Sequence, residues 1–229
     1  MRKFLLHIFA ILLFVFLLMF VSDILYSKIY RNANPRSTLQ YILKLKNENF
    51  DVVFLGSSRV ANHIDTDLFN KLSQKKTVNL GVQGASLNDN MLQLKLLLES
   101  NKVKLVFLQI DSNLNTTNPS NISTAEAMPF IENPIVASHT KKYNPDFEQL
   151  YYIPFYRYAI NDSKIGIRET FFTLINKKPV IDPSNGYIPK LGNTIPNTQP
   201  TIMGLKKRLQ GNPILDEIRA LCQEKNAKL

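Results

Sequence analysis

A long apolar segment near the N-terminus constrains this chain more than any other feature. Residues 4–21, FLLHIFAILLFVFLLMFV, are apolar except for His7 and follow the basic residues Arg2 and Lys3. A helix of this length extends about 27 Å, close to the thickness of a bilayer's hydrocarbon core. A secretory signal would have a shorter apolar region followed by a small-x-small cleavage site, which the next residues, SDILYSK, do not provide. We therefore predict a retained signal-anchor helix over residues 1–27, with lipid contact through residues 4–24.

The charges that flank this segment predict its orientation. Arg2 and Lys3 favour a cytoplasmic N-terminus, although Lys28, Arg31 and Arg36 follow on the other side. We expect a single-pass protein of the cytoplasmic membrane whose C-terminal domain is extracytoplasmic. The net charge of +10 would suit either nucleic acid or an anionic membrane surface. This location argues against nucleic acid as a partner.

The remainder reads as a juxtamembrane linker and helix over 28–49, followed by one α/β domain over 50–229. Three short runs of β-branched and apolar residues lack polar alternation, as is typical of parallel strands covered on both faces. They are FDVVFLG at 50–56, KTVNLGV ending near Val82, and VKLVFLQID at 103–111. Helical segments separate the runs, one with Asp65 as N-cap and one over 87–100 with Ser86 and Asp89 as a capping box. The order predicts a three-layer sandwich with a parallel, flavodoxin-like sheet.

The second half of the chain predicts an insertion and a final helix. Residues 112–145 are rich in Asn, Ser, Thr and Pro and read as a long loop. Helical stretches at 146–160, interrupted at Pro154, and at 165–176 extend this loop and helical insertion to about residue 200. Asn212 and Pro213 begin a last helix. A strand normally follows such a helix in an alternating βα pattern, so we expect the domain to continue beyond Leu229.

Polar residues follow each predicted strand, and the carboxyl ends of parallel strands share one edge, where ligands bind. A serine on a tight turn that enters a helix has its hydroxyl near several unpaired N–H groups, which stabilise a developing oxyanion. Ser58 follows the first strand in this way, while the Gly84 N–H and the Asn113 amide follow the second and third. The pattern predicts an acyl-transfer site with Ser58 as nucleophile and with Gly84 and Asn113 as oxyanion donors. Arg59 is a candidate to bind an anionic group of the substrate, or else to pair with a surface acid.

Simpler interpretations of several residues stay open. Ser58 can serve as a helix cap, a position that serine favours. Cys222 is the single cysteine, so the chain offers no internal disulfide partner and no multi-cysteine zinc site. Asp65 and Asp67 are typical of a helix start rather than of a metal pair. We expect no metal and no organic cofactor, because GVQGAS lacks the Gly-x-Gly-x-x-Gly spacing of a dinucleotide site.

The segment VVFLGSSRV resembles the first block of the SGNH (GDSL-like) hydrolases and acyltransferases, with Ser57 in the position of their aspartate. It is similar to the variant found in membrane-anchored envelope members of that superfamily. Gly84 in NLGVQGAS and Asn113 in DSNL match the glycine and asparagine of the next two blocks, although Asp111 and Leu114 depart from the third. The resemblance implies an esterase or O-acyltransferase that acts on acylated envelope carbohydrate.

The C-terminal Asp-x-x-His block of that superfamily does not occur in the sequence. A serine hydroxyl without a base is a poor nucleophile at neutral pH. Three explanations remain open: the block follows Leu229, the protein is a non-catalytic relative that binds or assembles envelope glycan, or another histidine substitutes. Outside the apolar segment the chain has only His63 and His139, and we expect His63 to stabilise its own turn by a hydrogen bond.

Overall fold

The computed structural model describes residues 1–110, 118–161, 166–189 and 211–229. Over these residues the protein is mixed α/β and mostly helical, with one three-stranded parallel sheet and an apolar N-terminal helix. The predicted α/β class with a parallel sheet is therefore confirmed. The helices and strands occur in the order α1 (Arg2–Asn32), α2 (Thr38–Lys44), β1 (Asn49–Leu55), α3 (Ser58–His63), α4 (Thr66–Ser73), β2 (Thr77–Asn79), α5 (Leu87–Ser100), β3 (Lys102–Leu108), α6 (Asn121–Ala127), α7 (Pro134–Tyr143), α8 (Phe147–Tyr152), α9 (Tyr156–Ile160), α10 (Gly166–Leu174) and α11 (Pro213–Glu224).

Helix α1 combines a candidate membrane-spanning part with a part that packs on the domain. Within the described ranges it is the one helix long and apolar enough to cross a bilayer, with a mean hydropathy of 3.0 over its most apolar window. This is consistent with a single-pass membrane protein. Its last turns differ, because Asp23, Tyr26, Ser27 and Tyr30 are buried against the rest of the protein.

The sheet has the strand order β2-β1-β3, and both pairings are parallel. Val53 of β1 is in register with Val78 of β2 and Val106 of β3. Apolar side chains pack on both faces of β1: Val53 and Leu55 join the main core with helix α5, while Val52 and Phe54 pack with α3 and α4. Burial on both faces is the reason that the strand sequences lack polar alternation.

Three predicted helix starts are confirmed by their capping bonds. The Asp65 carboxylate accepts from the N–H of Leu68 at 3.0 Å at the start of α4. Ser86 and Asp89 form a reciprocal capping box at the start of α5. The Asn212 side chain accepts from the N–H of Ile214 at 2.9 Å, with Pro213 in the first turn of α11. Each cap satisfies a backbone donor that the helix itself leaves unpaired.

The prediction of a long loop over 112–145 is wrong for its described part, 118–145. Helices α6 and α7 occupy most of this range, joined by a 3₁₀ turn at Met128–Phe130. Ser120 caps α6 by accepting from the N–H of Ser123, and Asn133 caps α7 ahead of Pro134. The polar residues that predicted a loop are therefore helix caps. The predicted interruption at Pro154 is confirmed, since α8 and α9 are separate helices.

The C-terminal residues return to the sheet. Helix α11 packs on α5, and Cys222 is buried there. Beyond α11, the N–H of Lys228 donates to the Lys104 carbonyl at 2.9 Å, and its carbonyl accepts from Val106 at 2.8 Å. This single parallel bridge lies beside β3 at Leu105.

Candidate functional site

The ends of β1 and β2 are joined directly at the edge of the sheet where Ser58 lies. The Gly56 carbonyl accepts a hydrogen bond from the N–H of Val82 at 3.0 Å. A Cβ on Gly56 would lie 2.6 Å from Val60 Cγ2 and 2.7 Å from Gln109 Cβ. Such contacts are too short for any side chain, so glycine is required for the close approach of the β1 end to α3 and to the end of β3.

The two serines that follow Gly56 have different environments. Ser57 is 6% exposed and is the N-cap of α3. Its hydroxyl donates to Gln109 Oε1 at 2.9 Å, and its N–H donates to the same oxygen at 3.1 Å. Ser58 is the first residue of α3 and is half-buried. Gln109 therefore holds Ser57, and Ser58 carries the more accessible hydroxyl.

The turn that follows β2 is held by the buried side chain of Asn79. Its amide donates to the carbonyls of Val60 and Ile64 at 2.8 and 2.9 Å, and its oxygen accepts from the N–H of Gly81 at 2.9 Å. These bonds fix the path of the β2 exit against helix α3. Gly84 lies farther along the turn, with φ +71° and no atom within 4 Å of the position of a Cβ.

Two of the predicted site residues follow strand ends that adjoin. Ser58 and Gly84 follow the adjoining ends of β1 and β2, which the bond between Gly56 and Val82 connects. Asn113 lies outside the described residues, so the convergence of all three stays a prediction. The β3 end reaches the same edge through Gln109. Arg59 is exposed on α3.

Among the described residues, neither histidine of the domain forms a hydrogen bond with Ser58. His63 is exposed at the end of α3, and its Nδ1–H donates to the carbonyl of Arg59 at 3.1 Å, as the sequence predicted. His139 lies on α7 with its ring 5.0 Å from that of Tyr143, centroid to centroid.

A polar cavity of about 280 Å³ adjoins His139, with Asp89 and Ser123 also in its lining. Burial lowers the pKa of His139 to about 4, and the positive charges of Lys95 and Lys142 act in the same direction. Burial raises the pKa of Asp89, although hydrogen bonds from Ser86 and Ser120 oppose this effect. Both groups are thereby favoured in their neutral forms relative to water.

A second cavity, of about 470 Å³, lies between the β2 exit and the end of α1. Gln83, the neighbour of Gly84, contributes to its lining, and so does Ile188, whose N–H donates to the Ala61 carbonyl of α3 at 3.2 Å. Phe172 lies in the lining with Lys177 Nζ 3.9 Å from its ring centroid. We call this space the basic cavity, because its lining includes four cations and one acid, Arg36, Arg168, Lys177, Lys178 and Glu126.

The sequence reasoning missed Gln109 and Asn79, the two amides that fix the strand ends. A signal was present, since each is a polar residue at the end of an apolar run. Buried polar groups must be hydrogen-bonded, and an amide at a strand end can reach the neighbouring turn. Within the described parts of the chain, no group of three or more His, Cys, Asp or Glu residues could hold a metal ion.

Comparison with known proteins does not assign the protein to a family. No family model and no curated protein matches the sequence.

Proposed function

We propose that the protein is a membrane-anchored, extracytoplasmic esterase or O-acyltransferase of the SGNH-like type, acting on acylated envelope carbohydrate through Ser58. The proposal includes a complete three-layer sandwich around the parallel sheet. The observation that carries it is the meeting of the strand ends, where Val82 bonds to Gly56 and Gln109 bonds to Ser57. In open parallel sheets this edge is where ligands bind.

In this proposal the Ser58 hydroxyl attacks the acyl carbonyl and forms a serine ester, while the sugar oxygen leaves as an alcohol. The N–H groups of Ser58 and Gly84 and the Asn113 amide stabilise the oxyanion. Gly84 is exposed, and the space that a Cβ would occupy there is open. Water or a second sugar hydroxyl then accepts the acyl group. The Ser58 proton requires a base, and among the described residues neither His63 nor His139 hydrogen-bonds to Ser58.

The basic cavity supports an anionic substrate. It adjoins the turn that carries Gly84, and Arg36, Lys177 and Lys178 line it together with the ring of Phe172. An apolar surface with a few charged groups is the usual composition of a small-molecule pocket. Cationic side chains would bind a carboxylate or phosphate on the saccharide.

A second candidate is an envelope glycan-binding or assembly protein without turnover. The hydrogen bonding of the histidines favours it, since His63 bonds to its own helix and the buried Nε2 of His139 has no hydrogen-bond partner among the described residues. In this case the same strand-end edge and basic cavity would bind acylated glycan and leave it unchanged.

The test compares two adjacent serines in the protein reconstituted in lipid nanodiscs, together with any natural extension that follows Leu229. With an aryl acetate as substrate, we expect Ser58→Ala to lower the turnover rate at least about 100-fold, because it removes the nucleophile. Ser57→Ala is the matched control, since it removes the hydroxyl that bonds to Gln109 and not the proposed nucleophile, and it should keep most of the activity.

Equal activity in Ser58→Ala and the unsubstituted protein would contradict the enzymatic proposal. Absence of turnover in the unsubstituted protein, combined with retention of an O-acetylated glycan by both the protein and Ser58→Ala, would establish the binding candidate instead.

A further inference from the structure

The turn between α8 and α9 contacts α1 just beyond the C-terminal end of the apolar segment. The N–H of Phe155, in this turn, donates to Asp23 Oδ2 of α1 at 2.7 Å. Asp23 is two residues beyond Val21, the end of the apolar segment. At a rise of 1.5 Å per residue, the turn is about 3 Å past that end along the helix axis.

Apolar and aromatic side chains are exposed around this level. On α1, Ile24 is 49% and Leu25 54% exposed, and they continue the exposed apolar surface of the span. In the turn between α8 and α9, which packs against α1, Tyr152 is 71% exposed at the end of α8, and Ile153 follows it. We call these residues, together with Tyr151, the interfacial collar.

The height of the interfacial collar is fixed by buried contacts behind it. Arg157 of α9 bonds to the Asp23 carboxylate, and Ser27 of α1 bonds to the Tyr158 hydroxyl. The rings of Tyr26 and Tyr158 lie 4.1 Å apart, centroid to centroid. The turn therefore cannot swing away from α1 without breaking a buried ion pair and an aromatic contact.

A lipid surface matches both the position and the chemistry of the interfacial collar. The interfacial region of a bilayer extends several ångströms beyond the hydrocarbon, so a turn about 3 Å past the apolar segment lies within it. Tyrosine is enriched at this depth because its ring is apolar and its hydroxyl is polar. Insertion also removes Ile153 and Leu25 from water. The collar is continuous with the lipid-facing surface of α1, which favours lipid over a protein partner.

We propose that the interfacial collar inserts into the leaflet that α1 enters, so that the domain rests on the lipid surface and is not held away from it on a tether. The proposal depends on α1 spanning the membrane and not on catalysis. A domain seated in this way meets its substrates at a fixed height above the bilayer.

The experiment uses the absence of tryptophan from the chain. Tyr152→Trp introduces a single fluorescent reporter into the interfacial collar of the full protein. The variant is reconstituted in nanodiscs whose phospholipid acyl chains either lack bromine or carry it on carbons near the headgroup. We expect a blue-shifted emission maximum and about twofold or stronger quenching by the brominated lipid, because the ring lies at the interface.

Leu72→Trp is the matched control. Leu72 is 78% exposed on α4, which packs on the sheet face opposite to the one that α1 joins. Both changes are made at exposed positions, so the fold should tolerate them. We expect Leu72→Trp to emit as a water-exposed tryptophan and to be insensitive to bromine. Equal quenching at the two positions, whether weak or strong, would overturn the proposal.

Discussion

At the scale of single residues, the lowered pKa of His139 predicts how the free energy of unfolding depends on pH. The native pKa of about 4 lies below the usual value of 6.5. Above pH 6.5 the imidazole is neutral in both the native and the unfolded state, and it contributes no pH dependence. Between pH 6.5 and 4 only the unfolded state binds the proton. The free energy of unfolding should therefore fall with decreasing pH, by about 2 kcal/mol between pH 7.5 and 5.

The measurement is denaturation of the full chain in nonionic detergent, followed by circular dichroism at several pH values. His139→Gln cannot titrate, so its stability should lose this dependence on pH. Asp89 contributes with the opposite sign, because burial raises its native pKa and the native state binds its proton more readily on acidification. Identical pH profiles for the protein and His139→Gln would refute the assignment.

Residue types predicted the candidate nucleophile position but not its surroundings. Ser58 was found because a serine after an apolar run and a glycine is a local pattern. The role of Gln109 depends on a contact with Ser57, far away in sequence, and no local pattern reports such a contact. In the same way, composition identified Asn133 as polar but did not reveal that it begins a helix, because a cap and a turn use the same residue types.

At the scale of secondary-structure elements, the packing of the β2 exit on α3 predicts different costs for two glycines. A Cβ on Gly81 would lie 2.2 Å from the backbone nitrogen of Ala61, and backbone atoms cannot rotate away. We expect Gly81→Ala to lower the free energy of unfolding by about 3 kcal/mol or more.

Gly84→Ala provides the comparison on the same turn. Its Cβ would meet no atom within 4 Å, and only the left-handed φ of +71° opposes it. The expected loss is about 1–2 kcal/mol. Thermal unfolding in detergent measures both, and failure of Gly81→Ala to fold agrees with the prediction. A larger loss for Gly84→Ala would contradict it.

Elements with a strong local signal were predicted well. The strands were visible as buried apolar runs, and α4, α5 and α11 through their caps. Helices α6 and α7 were not, because Asn, Ser, Thr and Pro are frequent in the 112–145 stretch that contains them and because their helical state depends on packing. Ala125, Ala127 and Val136 are buried in the core, which the polar composition did not indicate.

At the scale of the whole molecule, α1 is part of the domain as well as a candidate membrane span. The Arg157 side chain is 5% exposed and the Asp23 side chain 13%, so their ion pair joins α9 to α1 away from water. Arg157 also donates to the Ser27 hydroxyl at 3.3 Å. The sequence predicted the anchor from composition alone, but this attachment joins residues more than a hundred positions apart.

Arg157→Met tests how firmly the anchor and the domain are joined. It would leave the Asp23 carboxylate buried without its cation, and breaking a buried ion pair from one side costs about 3–5 kcal/mol. Arg219→Met makes the same substitution in the exposed pair with Asp216, where about 0–1 kcal/mol is expected. Thermal unfolding of both variants in nanodiscs gives the comparison.

The double variant Asp23→Asn with Arg157→Met distinguishes two effects of losing Arg157. One is loss of the ion pair itself, and the other is burial of an Asp23 carboxylate that has no cation. Removing both charges should recover part of the stability that Arg157→Met loses, since no unpaired charge then remains buried. If Arg157→Met and Arg219→Met unfold at the same temperature, the ion pair does not hold α1 to the domain. A loss confined to Arg157→Met, with partial recovery in the double variant, means that the domain and its membrane helix unfold as one unit.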